Sequence, residues 1–266
     1  MSYAAGAGPA ASGASVKLAR DTWLIFQRQM LLVGRSPIQI AFSVAQPITY
    51  LLLFAPMLKL ALNVTSVTEA YRIYVPGLLT LTAILGGLFT GFGLLAEMRS
   101  GIIERARVTP VSRMALMLGR AFREVVMLLM QAVIITLLAL PFGLRLPIQD
   151  LLLAYLLLAV MSLMAVSLSY GITMKARNEA TLGPIMVTLS QPVMLLSGVL
   201  LPLTLAPLWL HRVAEWNPFY WATNGMRSLF VGQIGNSSVW LSMIIVVSLA
   251  IVAMTWSVRL FSRSVQ

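Results

Sequence analysis

Six long apolar segments place the strongest limit on how this chain can fold. They cover approximately residues 38–60, 74–95, 119–142, 150–173, 182–204 and 238–258. A transmembrane helix needs about 20 apolar residues to cross the hydrocarbon of a bilayer, so each segment is long enough for one span. Only 10% of the 266 residues are charged, whereas a soluble domain carries about 25%. We therefore predict an all-α integral membrane protein with one domain of six transmembrane helices over residues 37–266.

The basic residues are grouped at the ends of these segments. If the N-terminus is cytoplasmic, most of the 19 Lys and Arg residues fall on the cytoplasmic side, as the positive-inside rule requires. The net charge of +11 then reflects topology and anionic inner-leaflet lipid, and no nucleic acid is expected as a partner. Arg is far more frequent than Lys, which favours a bacterial source. We expect a multi-pass protein of the bacterial cytoplasmic (inner) membrane with both termini in the cytoplasm.

The region before the first span divides into two parts. Residues 1–14 are mostly Ala, Gly and Ser, a composition that cannot form a core, so we predict a disordered cytoplasmic tail. Over residues 15–36, charged side chains fall on one helical face and apolar side chains on the opposite face. This pattern predicts an amphipathic helix in the headgroup plane. An ordinary soluble amphipathic helix is the alternative.

Several kinds of chemistry lack the residues they need. The chain has no cysteine and one histidine, His211, so we predict no metal site. Ser197 and His211 lack the glycine-framed motif and the orienting partner of a serine hydrolase, and no catalytic residue is predicted. No phosphate-binding loop occurs. We therefore expect no cofactor in this chain, and ATP, if used, to be bound by another polypeptide.

The spans also lack the ionisable residues that ion-coupled transporters carry at mid-bilayer. Glu124 is the nearest candidate, and its position four residues after Arg120 predicts an ion pair near the inner interface.

The first and fifth segments differ from the others because they contain Gln46-Pro47 and Gln191-Pro192, each with further prolines. Proline removes a backbone hydrogen bond, and broken helices are favoured where a protein-lined path crosses the bilayer. A cluster of glycines in the second segment (Gly86, Gly87, Gly91 and Gly93) predicts close helix packing.

Two connections are too long and too patterned to be turns. The inner one, residues 97–123, is charged with a small apolar face. It suits a groove on a cytosolic partner, and a solvated basic loop retained by the positive-inside bias is the alternative. The outer one, residues 205–239, is rich in aromatic residues. It predicts two short helices that enter the outer leaflet, and an aromatic belt at the membrane boundary is the alternative.

Over residues 15–260 the chain resembles the membrane subunits of type-2 ABC exporters, especially the drug-exporter branch typified by daunorubicin resistance permeases. The resemblance rests on the helix before the first span and on the Glu97–Pro110 stretch. It also rests on a series between the fifth and sixth spans: Leu201-Pro202, Pro207-Leu208-Trp209-Leu210, Asn217-Pro218 and Gly225-Met226-Arg227.

The resemblance implies a homodimeric or heterodimeric transmembrane half, the homodimer being favoured, paired with two copies of a separate ATP-binding subunit that holds ATP and Mg. It implies a cytoplasmic coupling helix at about Ser100–Arg107, and a pathway formed by the first and fifth spans. The implied contacts to the ATPase are Glu97, Arg99, Ser100, Ile103, Glu104, Arg105 and Arg107. The polar candidates for the pathway lining are Ser43, Gln46, Thr49, Tyr50, Ser190, Gln191 and Ser197. The outer re-entrant segment that would cap the exit includes Trp209, Asn217, Pro218 and Arg227.

The resemblance implies a non-enzymatic transport subunit that exports a hydrophobic small molecule, drug or lipid-like compound, with membrane lipid and the cargo as its other partners. Export of a lipid-linked polysaccharide or glycolipid is the alternative within the family. A channel or a membrane assembly factor is the alternative from another class.

Overall fold

The computed structural model describes residues 10–61, 66–101, 112–144, 146–199, 203 and 206–263. All regular structure in these residues is helical, as predicted. The helices are α1 (Ala10–Gly34), α2 (Pro37–Ala61), α3 (Val67–Arg99), α4 (Arg113–Ala139), α5 (Ile148–Ala176), α6 (Glu179–Leu196), α7 (Leu208–Ala214), α8 (Pro218–Phe230) and α9 (Ser237–Arg263). The predicted contacts Ile103, Glu104, Arg105 and Arg107 lie outside the described residues.

Six helices coincide with the six predicted spans: α2, α3, α4, α5, α6 and α9. In the described part of the chain, four stretches are long and apolar enough to cross a membrane: Val67–Arg99, Met114–Phe142, Ile148–Ala176 and Ser237–Phe261. The other two helices, α2 and α6, are not among these four stretches. Within its described side chains, α2 has the apolar stretch Ile40–Phe54, and α6 has 18 residues with Pro184 and Pro192 inside it.

Two predicted boundaries differ from the structure. The first helix begins at Ala10, before the predicted start at residue 15, because the alanines there extend the helical pattern towards the N-terminus. The fifth apolar segment was expected to continue to residue 204, but α6 ends at Leu196. Gly198 has a φ of 69°, a left-handed conformation that ends helices and that glycine adopts without steric cost.

The core forms around α5, which packs against α3, α4, α8 and α9. The seam between α3 and α5 depends on Gly87 and Gly91, as the glycine cluster predicted. A Cβ at Gly87 would lie 2.5 Å from Ala165 Cβ, so the two backbones approach more closely than any larger residue permits. The backbone N–H of Gly91 donates a hydrogen bond of 2.9 Å to the Ser169 hydroxyl. Gly86 and Gly93, by contrast, have open space beside them.

Three further helices, α1, α2 and α6, pack around this core. The first helix, α1, crosses α4 at Gly119, where a Cβ would lie 2.7 Å from the Ile25 side chain. Both α2 and α6 pack against α3, and both leave large apolar side chains exposed. On α2 these include Phe42 and Leu53, and on α6 they include Val187 and Leu195.

Candidate transport site

A cleft of about 210 Å³ lies between α2, α3 and α4. It brings together three of the predicted lining residues, all on α2: Ser43, Gln46 and Tyr50. The opposite wall is formed by α3 and α4. The remaining lining residues are Pro47, Leu81, Thr82, Leu85, Gly86 and Gln131. None of these lining residues is charged, so the cleft offers apolar surface with a few neutral hydrogen-bonding groups.

The polar groups of the cleft are not equally available. The Ser43 hydroxyl donates to the Ile40 carbonyl oxygen at 2.7 Å, and the Thr82 hydroxyl donates to the Leu79 carbonyl oxygen at 2.8 Å. These hydroxyls therefore bond to their own helices. The amides of Gln46 and Gln131 carry the donors and acceptors best able to face a cargo. Sequence reasoning missed Gln131, although a single Gln inside an apolar segment is a usable signal.

The other predicted lining residues lie elsewhere. Thr49 is exposed, and its hydroxyl donates to the Ala45 carbonyl oxygen at 2.9 Å. On α6, Ser190 and Ser197 are buried at 2% and 1% exposure, with their hydroxyls bonded to the carbonyl oxygens of Val187 and Met194. Gln191 is exposed on α6. Within one chain, the structure thus keeps the α6 candidates apart from the α2 cleft.

The ends of α3 and α4 next to the predicted coupling segment are joined by charged side chains. Glu97 of α3 forms an ion pair with Arg120 of α4, and Arg120 is only 7% exposed. Glu124 pairs with its neighbour Arg123, so the predicted pairing of Glu124 with Arg120 is wrong. The reason is that Glu97, near the end of the adjacent helix α3, pairs with Arg120 instead.

This charged cluster also reaches α1 and α6. Arg123 donates to the Gln29 side-chain oxygen of α1 at 3.4 Å. Arg99 pairs with Glu179, the first residue of α6, at 2.8 Å on the surface. The Ser100 hydroxyl donates to the Glu97 carbonyl oxygen at 3.1 Å where α3 ends. The end of α3, where the predicted coupling segment begins, is therefore connected directly to α4 and α6, and through α4 to α1.

The outer connection contains two short helices, α7 and α8, as predicted. Pro218 is the first residue of α8, and Asn217 caps this helix, its side-chain oxygen accepting from the Phe219 N–H at 3.1 Å. Asn217 Nδ2 also donates to the Val193 carbonyl oxygen of α6 at 2.7 Å. Trp209 of α7 is mostly exposed, as an interfacial aromatic residue would be.

Arg227 lies on the face of α8 nearest α6. Its Nη2 donates to the Gly198 carbonyl oxygen at 2.6 Å. Burial lowers the pKa of Arg227 to about 10, with a smaller opposite contribution from Tyr220. The side chain therefore remains cationic at neutral pH. Of the two outer helices, α8 is the one that makes both of these polar contacts with the end of α6.

Together the helices, the uncharged cleft and the charged inner ends define a polytopic membrane protein of transport type. The family model for ABC-2 type transporters matches residues 20–231, and this chain belongs to that family. Its members generally work with ATP-binding subunits. The resemblance to ABC permeases noted in the sequence is thus confirmed.

Named relatives agree with this assignment. The daunorubicin resistance ABC transporter permease protein DrrB1 of Streptomyces coeruleorubidus is 24% identical over 244 residues, which cover 88% of this chain and 83% of that protein. The ycf38 proteins, whose names describe them as transport permeases, are also similar. The one from Cyanophora paradoxa is 24% identical over 215 residues (79% of this chain, 74% of that protein). The one from Pyropia yezoensis is 27% identical over 222 residues (81% and 76%).

Proposed function

We propose that this chain is the membrane subunit of an ATP-driven exporter that moves a hydrophobic small molecule, drug or lipid-like compound out across the bacterial cytoplasmic membrane. ATP and Mg are bound by two copies of a separate subunit, and a second copy of this chain completes the transmembrane half. Both termini are cytoplasmic, in line with the distribution of Lys and Arg. The daunorubicin resistance permease among the relatives supports a drug-like cargo.

The single observation that carries the proposal is the uncharged cleft beside α2. Its walls are apolar apart from the hydroxyls and the amides of Gln46 and Gln131. Such a lining favours a neutral or weakly polar cargo, because a charged group placed there would lose its hydration without gaining an ionic partner. A lipid-linked polysaccharide would need more hydrogen-bonding groups than these residues supply.

The size of the cleft supports the involvement of a second copy. Ligand pockets usually measure about 300–1,000 Å³, and one chain supplies about 210 Å³. The neighbouring face of α2 exposes Phe42 at 74% and Leu53 at 59%. A second copy packed against this face would enlarge the cleft and shield it from lipid.

The charged contacts of α3 support energy transfer from a cytoplasmic ATPase. The ion pair between the half-buried Glu97 and the buried Arg120 joins α3 to α4 on either side of the predicted coupling segment. The Arg99–Glu179 pair joins α3 to the start of α6. If nucleotide binding displaces the coupling segment, the movement would therefore reach α3, α4 and α6 together, as a two-state element requires.

Co-purification with a candidate ATP-binding subunit tests this proposal, followed by ATP hydrolysis and dye export in lipid nanodiscs and vesicles. The sequence-predicted contact Glu104 is reversed in Glu104→Arg, and we expect hydrolysis to lose its coupling to export. The matched control Glu69→Arg reverses an exposed glutamate at the other end of α3 and should change neither. A chain that purifies without the ATPase, or that conducts ions without nucleotide, would support a channel or an assembly factor instead.

The cleft is tested separately with Gln46→Leu and Gln131→Leu. We expect each change to raise the KM for export of a dye with hydrogen-bonding groups about five- to tenfold, the value of one hydrogen bond, with hydrolysis unchanged. Thr49→Val is the control, since this exposed hydroxyl already bonds to its own helix. Equal KM values in all variants would remove the cleft from the pathway.

A further inference from the structure

The outer end of α6 lacks part of its own hydrogen bonding. The last carbonyls of any helix have no N–H four residues ahead to bond with. In a continuing helix, the N–H of Ser197 would donate to the Val193 carbonyl oxygen. Here it donates to the carbonyl oxygens of Met194 and Leu195 instead. Gly198 then turns the chain away. The carbonyl oxygens of Val193 and Gly198 are left to find donors outside the helix.

Both donors come from the outer segment. Asn217 Nδ2 lies 2.7 Å from the Val193 oxygen, and Arg227 Nη2 lies 2.6 Å from the Gly198 oxygen. Helix C-termini carry partial negative charge, so the guanidinium of Arg227 is electrostatically well placed. The two donors lie ten positions apart, at the N-cap and in the last turn of α8.

The helix that carries these donors is fixed to the core. Gly225 of α8 approaches α9 so closely that a Cβ would lie 2.0 Å from the Ser242 hydroxyl oxygen, and Met226 and Phe230 are fully buried. On the other side, a Cβ at Gly77 of α3 would lie 2.4 Å from the Val199 carbonyl oxygen. Residues 193–199 are therefore held between α8 and α3.

We propose that Asn217 and Arg227 are positioning residues that fasten the outer end of α6 to the core, and that loss of their two hydrogen bonds releases this end while the core stays folded. The anchor itself does not depend on the proposed function. Its role in export does depend on the proposed function. In that role, the hydrogen bonds of Asn217 and Arg227 restrain the outward movement of the fifth span.

Asn217 allows its two roles to be separated. Its side-chain oxygen caps α8, and its side-chain nitrogen holds α6. Asn217→Asp keeps a good N-cap acceptor but replaces the donor with an oxygen that faces the Val193 carbonyl oxygen. Arg227→Met keeps the length of the side chain without its donors. Arg227→Lys restores one cationic donor and should behave nearly as the native chain.

The chain contains no cysteine, so a single introduced thiol reports on one position. Ser197→Cys places the reporter at the end of α6, where the native side chain is 1% exposed. Val239→Cys places a control at the outer end of α9, where exposure is also 1%. Reaction rates with a membrane-impermeant maleimide are measured in nanodiscs for each reporter with and without Asn217→Asp, Arg227→Met or Arg227→Lys.

We expect the Ser197→Cys thiol to react about tenfold faster in the presence of Asn217→Asp or Arg227→Met, as local opening requires. It should react at nearly the native rate with Arg227→Lys, and the Val239→Cys thiol should stay slow throughout. An unchanged rate at Ser197→Cys would overturn the anchor. A rise at both reporters would also overturn it, because the core would then have opened as well.

Export is measured in the same variants. Dye moved per ATP hydrolysed should fall in Asn217→Asp and recover in Arg227→Lys relative to Arg227→Met. If labelling changes and export does not, the anchor stands and its role in transport is wrong. If the native chain exports nothing, the proposed function fails, and the labelling result still decides the anchor.

Discussion

The central pair of helices and the two flanking helices of this protein are built in different ways. Both α3 and α5 have long apolar stretches and meet at buried glycines, where small residues let the backbones approach. Both α2 and α6 contain two or more prolines, whereas α3 contains one, Pro76, and α5 contains none. Both pack against α3 and bury few of their described side chains. The candidate cleft and the anchored outer end belong to the flanking helices.

This difference separates what holds the protein together from what can move. A seam without free space transmits displacement rigidly, because packed cores resist small deformations. A helix that buries few of its side chains can shift without breaking that seam. The contacts that join the two kinds of helix, Arg99–Glu179 at the inner end and Asn217 with Arg227 at the outer end, are the places where movement of one would be passed to the other.

The largest expected effect comes from widening the central seam. Gly87→Leu would force α3 away from Ala165 and Val166 of α5, at a cost of about 3 kcal/mol or more. We expect the variant to express poorly and to unfold well below the native temperature. Gly93→Leu is the matched control, since Gly93 has open space beside it. Equal melting temperatures in detergent would mean that the seam is not the rigid element.

A smaller effect is expected from the ion pair at the inner end of the core. Glu97→Gln leaves Arg120, which is almost fully buried, without a charged partner. Breaking a buried pair costs about 3–5 kcal/mol, and the partial exposure of Glu97 reduces our expectation to about 2 kcal/mol. Adding Arg120→Met should restore most of the lost stability, because no unpaired charge then remains.

The surface pair between α3 and α6 provides the control for this measurement. Glu179→Gln removes a bridge whose side chains are 51% and 61% exposed, and such bridges contribute about 0–1 kcal/mol. Its melting temperature should hardly change. If Glu179→Gln lowered the melting temperature as much as Glu97→Gln, then α6 would be held to the core at its inner end and could not move independently of it.

Sequence reasoning located the scaffold because apolar length and small residues are local properties. It identified the glycine cluster of α3, in which Gly87 and Gly91 do pack against α5. The prolines were expected to break the fifth span, but Pro184 and Pro192 lie inside the continuous helix α6. Sequence reasoning did not identify the partners of Glu97 or Asn217, because those contacts join residues far apart in the chain. It also gave α6 too late an end, since apolar residues continue past Gly198, and only the left-handed turn at that glycine shows where the helix stops.

The smallest effect on stability is expected on the outer face of α2. Phe42→Ala removes a side chain that is 74% exposed, so the single chain should lose less than about 0.5 kcal/mol. If a second copy covers this face, the same change removes buried apolar area from the interface and lowers the fraction of dimer in nanodiscs, counted by single-molecule photobleaching. Leu152→Ala, at a 62% exposed position on α5, is the control and should leave dimerisation unchanged. Equal dimer fractions would place the interface on another face, and the cleft beside α2 would then open to lipid rather than to a second copy.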